Sequence, residues 1–160
     1  MDAIIEINSN SPEFQQLIFE MRKVMNKFNR SEKLMTLSEV VSETDSYFTA
    51  NRKIFVYQFD KRMVGYSVIK IEEDICWLDW LYVNPDFRGK EVASELFDHA
   101  EEYSAKLGND QLYVWVHPDN HRMVKFLKKK GYDVLNLVEV KKVKDNFKEK
   151  LVILGNEFKY

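Results

Sequence analysis

The stretch that decides the fold reads Leu81-Tyr82-Val83-Asn84-Pro85-Asp86-Phe87-Arg88-Gly89-Lys90-Glu91-Val92-Ala93-Ser94. It starts as an apolar strand, turns at Asn84-Pro85, and reaches a helix start near Val92 through a short basic loop. A helix N-terminus carries about half a positive charge and unpaired N–H groups, so a tight loop that opens a helix can bind a diphosphate. Arg88 and Lys90 add positive charge for the same ligand. An ordinary polar helix-entry loop is the alternative interpretation.

The elements on either side of this stretch predict a mixed α/β domain. Ile75–Val83 is the strand that enters it, and Val92–Leu107 is a helix that ends before Gly108. Leu112–Val116 is nearly all apolar, which suits a strand buried on both faces. The other expected elements are a strand at Ile4–Ile7, helices after the cap residues Ser11 and Thr36 (the second to about Ala50), a hairpin of Ile54–Phe59 and Met63–Ile71, a helix at His121–Lys130, and strands at Val134–Val143 and Lys150–Gly155. The order is βααβββαβαββ, in a single domain spanning residues 1–160.

A second motif lies downstream of the first, at Asn120-x-x-Met123-x-x-Phe126-Leu127-x-x-Lys130-Gly131-Tyr132. Together the two stretches resemble the GNAT (GCN5-related) N-acetyltransferases. The patterns of that family are V-x-P followed by [Q/R]-x-x-G-x-[G/A], and N-x-x-A-x-x-F-Y-x-x-x-G-F. The resemblance implies the GNAT fold, with a central mixed, strongly twisted β-sheet of six to seven strands and four helices. It also implies acetyl-CoA as the co-substrate.

The resemblance places the cofactor contacts in three parts of the chain. In the family, the backbone of the strand corresponding to Leu81, Tyr82 and Val83 holds the pantetheine arm and the thioester carbonyl, where this strand splays from the next one. The loop and first helical turn hold the diphosphate, and the second motif lies nearby. The contacts implied in these two parts are Arg88, Gly89, Lys90, Glu91, Val92, Ala93, Ser94, Asn120, Met123 and Phe126. A plain core role fits Met123 and Phe126 at least as well.

Two residues depart from the family patterns. Glu91 replaces a glycine where the backbone approaches two phosphates, and a carboxylate about 5 Å from a phosphate would repel it by on the order of 3 kcal/mol at an effective dielectric constant near 20. In solvent, salt would screen that charge. Leu127 replaces a tyrosine with which many relatives protonate the departing thiolate. Tyr82 and Tyr132 are candidate substitutes that also suit packing roles. We expect weakened CoA binding.

Asp79 is the candidate catalytic residue. On the strand before Leu81, it resembles in position the acidic residue that some family members use, directly or through water, to deprotonate the amine. A carboxylate held in a cleft can serve as such a base. Binding the ammonium of the substrate, or merely solvating the strand, are the alternatives.

Composition and charge limit the partners. The 24 Lys and Arg residues nearly balance 26 Asp and Glu residues, and the net charge of -2 argues against general nucleic-acid binding, including by Lys128–Lys130. Cys76 is the single cysteine, and no Cys/His spacing suits zinc, so we expect no disulfide and no metal. The start of the chain lacks a signal-peptide pattern and no apolar run approaches 18 residues, which predicts a cytoplasmic protein without a membrane segment.

The predicted function is N-acyl transfer, in which an acetyl group passes from acetyl-CoA to a primary amine by direct attack on the thioester. The amine could belong to a protein N-terminus, a lysine or a small molecule. Glu91 and Leu127 together leave a non-catalytic acyl-CoA-binding or regulatory domain as the alternative. By analogy with the family, the last strands could form a homodimer interface.

Overall fold

The computed structural model describes residues 2–29, 31–109, 111–142 and 149–159. The chain divides into two compact units, Met1–Val124 and Lys125–Tyr160. The described elements follow the predicted order βααβββαβαββ, with an additional 3₁₀ helix at Pro85–Phe87. No helix in these described ranges combines the length and apolarity needed to cross a membrane.

The first unit is built on a five-stranded sheet in the order β1-β2-β3-β4-β5. These strands are β1 (Ala3–Ile7), β2 (Arg52–Phe59), β3 (Arg62–Glu72), β4 (Ile75–Val83) and β5 (Leu112–Val114). The first four pair in antiparallel fashion, whereas β5 is parallel to β4. Tight turns with positive φ at Asp60-Lys61 and Glu73-Asp74 join β2 to β3 and β3 to β4. The crossover from β4 to β5 carries the loop and helix predicted for the diphosphate.

Three helices cover the two faces of this sheet, α1 (Pro12–Phe28), α2 (Leu37–Asp45) and α3 (Val92–Lys106). The predicted caps are present: Ser11 Oγ accepts the Phe14 N–H at 3.2 Å, and Thr36 forms a capping box with Glu39. The helix α1 packs on one face in a core cluster, and α3 packs on the other. The main members of the first cluster are Phe14, Ile18, Ile54, Val56, Tyr66, Val68 and Tyr82, and those of the second are Tyr57, Val64, Val83, Val92 and Leu96.

The end of the chain differs from the sequence prediction. The predicted strand Val134–Val143 is wrong for residues 134–142, which form no strand, and residue 143 lies outside the described residues. The predicted strand Lys150–Gly155 ends at Ile153, because Leu154 and Gly155 take positive φ and form the turn of a hairpin. This hairpin consists of β6 (Lys150–Ile153) and β7 (Asn156–Lys159). The seven described strands therefore form two sheets, of five and of two strands.

Gly65 on β3 is a position where the backbone allows no side chain. A Cβ there would lie 2.9 Å from the Tyr82 carbonyl oxygen and 3.3 Å from Leu96 Cδ1. We expect Gly65→Ala to lower the free energy of unfolding by about 1–3 kcal/mol, because a backbone oxygen cannot move aside cheaply. Urea denaturation measures the loss. Ser67→Ala, on the same strand, is the control, since the buried Ser67 hydroxyl has no hydrogen-bond partner within the described residues. Equal losses in both variants would contradict the steric explanation.

We expect His99 to make the stability of the protein depend on pH. Its ring centroid lies 4.4 Å from that of Phe55. Burial lowers the pKa of this imidazole, and the charge of Glu102 opposes the shift. The folded-state pKa of His99 lies below the value of about 6.5 in the unfolded chain. Between these two pKa values the unfolded state binds more protons than the folded state, so stability is lost as pH falls through this range. In urea denaturation, wild-type protein should lose more unfolding free energy than His99→Gln between about pH 7.5 and pH 5.5. Equal losses would show that His99 does not titrate in this way.

Candidate active site

The strands β4 and β5 separate part of the way along β4. Cys76, Trp77 and Leu78 pair with residues 112–114 of β5, whereas β4 continues to Val83. Beyond Leu78, the edge of β4 that faces β5 has no strand partner in the described sheet. Such an opening leaves backbone groups available to a ligand. The splay expected from the resemblance is therefore present, although β5 ends at Val114 and not at Val116.

The pairing with β3 determines which backbone groups face this opening. The Asn84 N–H donates to the Val64 carbonyl at 2.8 Å. In an antiparallel pair, only every second residue is hydrogen-bonded to its partner strand, and the others point their N–H and C=O groups the other way. Counting back from Asn84, the backbone groups of Tyr82 face β3. The backbone groups of Leu81 and Val83 therefore face the opening.

Asp79 occupies a β-bulge on β4. Ile69 pairs with Leu78 and Val68 pairs with Trp80, so Asp79 is an extra residue in the register. A bulge redirects its side chain and interrupts the ladder, and bulges are frequent next to active sites. This one directly follows the last pair between β4 and β5. Asp79 therefore lies where the opening begins.

Arg52 holds the Asp79 carboxylate. The Arg52 Nε donates to Asp79 Oδ2 at 3.2 Å, and its Nη1 donates to the Ser46 carbonyl at 3.3 Å. The two side chains are 23% and 18% exposed, so the pair is partly shielded from solvent. The guanidinium thus links the end of α2, the first residue of β2 and the bulge. Sequence reasoning missed Arg52, because its contact depends on the order of strands in the sheet.

Aromatic and charged side chains surround Trp80, on the face covered by α1 and α2. The Tyr47 ring stacks on Trp80 with centroids 6.3 Å apart, and the Arg22 guanidinium lies 4.9 Å from the Trp80 ring. Glu43 pairs with Arg22 and accepts the Tyr47 hydroxyl at 2.7 Å. Burial, together with the charge of Glu43, raises the pKa of Tyr47 far above its ordinary range. Two helices are thereby fixed to β4 just beyond the bulge.

The loop before α3 presents a row of unsatisfied donors. The backbone N–H of Arg88 donates to the Pro85 carbonyl, and the backbone N–H of Glu95 donates to the Glu91 carbonyl. Within the described part of the chain, no group accepts a hydrogen bond from the backbone N–H groups of residues 89–94. Gly89 has φ +76°, which turns the loop sharply. Successive N–H groups at a helix start bind anions, so these residues fit a diphosphate.

The two cations of the loop are held by neighbouring groups. Arg88 Nε donates to the Val83 carbonyl at 3.0 Å, and its guanidinium lies 5.9 Å from the Tyr82 ring. Arg88 thereby ties the loop back to the end of β4. The Lys90 ammonium lies 4.9 Å from the Phe87 ring centroid. Both contacts restrict side chains that would otherwise move freely in solvent.

Glu91 precedes α3 in a left-handed conformation. Its φ is 63° and ψ is -6°, and its exposed side chain makes no capping hydrogen bond. Residues other than glycine pay roughly 1–2 kcal/mol for this conformation. The glycine of the family pattern therefore has a backbone reason in this chain, besides the close approach of a phosphate.

The second motif starts the helix α4 (His121–Lys129), which crosses the boundary of the two units. Asn120 Oδ1 accepts the Met123 N–H at 3.2 Å, so Asn120 caps this helix. Asn120 and the half-buried Met123 belong to the first unit, together with residues 81–94. Phe126 belongs to the second unit, where the Lys130 ammonium lies 5.9 Å from its ring. Leu127, in the same unit, is buried.

Tyr82 is a potential proton donor in the first unit. Burial raises the pKa of its hydroxyl, with the charge of Arg88 acting in the opposite direction. The phenol therefore keeps its proton at neutral pH. Its ring belongs to the core beside α1, at 5.9 Å from the ring of Tyr66.

The sequence of this chain is similar to the sequences of known proteins. Residues 17–132 match the model of the Acetyltransferase (GNAT) family. An uncharacterised N-acetyltransferase of Methanocaldococcus jannaschii is 27% identical over 92 residues, which are 53% of this chain and 41% of that relative. The chain thus matches about two fifths of the length of this curated relative.

Solved structures share the fold. An integron cassette protein from the mobile metagenome of V. cholerae has a TM-score of 0.74 at 14% identity, over 91% of this chain and 93% of that one. The aminoglycoside acetyltransferase AAC(6')-Iy, in complex with a bisubstrate analogue that contains CoA, has a TM-score of 0.66 at 14% identity, over 91% and 99%. The family match extends over most of the sequence, including the bulge, the loop and the helix start. This chain therefore belongs to the acetyltransferase (GNAT) family.

Proposed function

We propose that the protein transfers an acetyl group from acetyl-CoA to a primary amine. The observation that carries the proposal is the row of unsatisfied N–H groups at residues 89–94, beside the open edge of β4. A diphosphate and an extended amide chain are the two parts of CoA that such donors suit.

Each part of the site has a role in this proposal. The diphosphate is surrounded by Arg88, Gly89, Lys90, Glu91, Val92, Ala93 and Ser94. The pantetheine arm lies along Leu81, Tyr82 and Val83, where the backbone groups of Leu81 and Val83 face the opening. When bound, acetyl-CoA supplies an activated acetyl thioester. The N–H groups that face the opening donate to the oxygen on which negative charge develops. Asn120 and Met123 from the start of α4, and Phe126 further along it, remain proposed contacts.

Asp79 takes the proton that the acceptor amine loses, on a carboxylate oxygen or through one water. The bulge and Arg52 support this role, because they fix the carboxylate where the opening begins. Tyr82 is the proposed source of the proton that the departing thiolate requires, since Leu127 carries none. A thiol has a pKa near 8.5, so water can also supply this proton at modest cost.

The acceptor is a primary amine of a protein N-terminus, a lysine or a small molecule. The face of β4 at Asp79 and Trp80, lined by Arg22, Glu43 and Tyr47, is the proposed acceptor side. The neighbour AAC(6')-Iy is named as an aminoglycoside acetyltransferase. An aminoglycoside therefore belongs among the acceptors to be tested.

A thiol-release assay tests the proposal. Acetyl-CoA and longer acyl-CoAs are combined with a peptide that has a free N-terminus, Nα-acetyl-lysine, a polyamine and an aminoglycoside, and calorimetry measures CoA binding in parallel. Amine-dependent thiol release is the expected result. Tight CoA binding without release for every amine would instead favour a non-catalytic acyl-CoA sensor, for which Glu91 and Leu127 are the motivating residues. Absence of CoA binding would refute both.

A further inference from the structure

Lys90 lies on a surface made by two phenylalanine rings. Its ammonium is 4.9 Å from the ring centroid of Phe87 and 5.9 Å from that of Phe59. The two rings are 5.4 Å apart at an angle of 57°. Both distances are within the range of about 6 Å in which a cation is attracted to an aromatic face.

The core of the first unit fixes this surface. Phe59 ends β2, Phe87 ends the 3₁₀ helix, and both rings pack against the cluster that contains Val83, Val92 and Leu96. This packing restrains the two rings that contact Lys90. By contrast, an unrestrained lysine loses about 2 kcal/mol of rotamer entropy when a ligand immobilises it.

Lys90 belongs to the loop that we propose binds the diphosphate. Its own N–H is one of the six unsatisfied donors at residues 89–94, and the carboxylate of Glu91 is its neighbour in sequence. A positive charge held at the loop opposes the repulsion between Glu91 and a phosphate. A mobile ammonium would do so only part of the time.

We infer that Phe59 and Phe87 are positioning residues for Lys90, and that they hold its ammonium beside the loop as a fixed charge that binds a phosphate group of CoA. The inference rests on the proposed function, because it takes CoA as the ligand. The inference gives two apolar side chains, which pack against the core, a second role at the phosphate site.

A double-mutant cycle on CoA affinity tests the inference. Calorimetry should show that Lys90→Met weakens CoA binding roughly tenfold or more, as expected for a charge-assisted contact. Phe87→Leu should weaken it about two- to fivefold, the range for an exposed cation–π contact. The double variant should bind no more weakly than Lys90→Met alone. Additive losses, or an unchanged dissociation constant in Phe87→Leu, would overturn the inference.

Matched variants separate positioning from folding and from net charge. Phe87→Tyr keeps an aromatic face and should bind CoA like the wild type. Lys106→Met, at the far end of α3, removes one positive charge roughly 20 Å away along the helix and should leave the affinity unchanged. If Phe87→Leu fails to fold in thermal unfolding, Phe59→Leu replaces it in the cycle.

A phosphate-free substrate isolates the contribution of the phosphate groups. Binding of CoA to the wild type separates failure of this inference from failure of the proposed function. The defects of Lys90→Met and Phe87→Leu should be smaller with acetyl-pantetheine than with acetyl-CoA, because acetyl-pantetheine has no phosphate for Lys90 to bind. Wild-type protein that fails to bind CoA would refute the proposed function itself. CoA binding without coupling between Lys90 and Phe87 would refute only the inference drawn from the rings.

Discussion

Replacing Asp79 with asparagine should lower kcat by about 10²- to 10⁴-fold near neutral pH, the usual contribution of a general base. The substitution removes the proton-accepting carboxylate and keeps the shape of the side chain. An amide oxygen can still accept the hydrogen bond from Arg52, which in the wild type reaches Asp79 Oδ2 at 3.2 Å. Loss of activity would therefore report on chemistry and not on a disrupted bulge.

The pH dependence of the defect separates a base from an ammonium-binding group. The neutral fraction of a lysine-like amine rises steeply as pH approaches its pKa of about 10.4, and the neutral amine needs no base. The rate of Asp79→Asn should therefore approach that of the wild type as pH rises toward this value. A variant that raises KM at every pH and leaves kcat unchanged would assign Asp79 to binding the substrate ammonium.

A second aspartate provides the control for this experiment. Asp74 lies in the turn between β3 and β4, roughly 16 Å along the strand from Asp79. Asp74→Asn makes the same chemical change in a positive-φ position that asparagine tolerates well. Its steady-state kinetics should match those of the wild type. Equal defects in both variants would rule out a specific role for Asp79.

The family and the fold class could be predicted because their signals are local. Helix caps at Ser11 and Thr36 depend only on residues three positions away, and both were found where the sequence placed them. The bounds of β4, Ile75–Val83, also agree with the prediction, since the strand is enclosed by the Glu73-Asp74 turn and Pro85. The resemblance to GNAT proteins, which rested on two short motifs, is confirmed by a family match over residues 17–132.

The end of the chain was predicted less well, because a strand requires a partner as well as a pattern. Residues 134–140 are mostly apolar, with β-branched valines at three of the seven positions, yet residues 134–142 form no ladder. The predicted strand includes Leu154 and Gly155, although a glycine followed by Asn156 is a turn signal. A single domain over residues 1–160 stays a prediction.

The candidate site shows the same limit. The residues of the loop could be named in advance because they are contiguous. The bulge at Asp79 depends on a one-residue shift between β3 and β4, and no residue type in the sequence marks it. The contact with Arg52 then needs the order of β2, β3 and β4 in the sheet. Contacts between strands distant in sequence are set by the whole fold, and spacing alone does not give them.

Glu91→Gly should bind acetyl-CoA more tightly than the wild type. The charge of this residue affects the affinity for CoA, and its backbone conformation affects the stability of the fold. The carboxylate repels a phosphate about 5 Å away by up to about 3 kcal/mol, which corresponds to roughly a hundredfold in affinity at low salt. The left-handed backbone, with φ 63°, also favours glycine. Its relief should raise the free energy of unfolding by about 1 kcal/mol.

Glu91→Gln separates these two effects, because it removes the charge and keeps a side chain that resists the left-handed conformation. If repulsion dominates, both variants should tighten binding in calorimetry at low salt, and the gain should shrink when ionic strength is raised toward about 0.5 M. If the bulk of the side chain obstructs the phosphates, only Glu91→Gly should gain affinity, and salt should have little influence on the gain. Unchanged affinity in both variants would show that the exposed carboxylate points away from the phosphates, and that Lys90 and the N–H groups of residues 89–94 already determine how tightly the diphosphate is held.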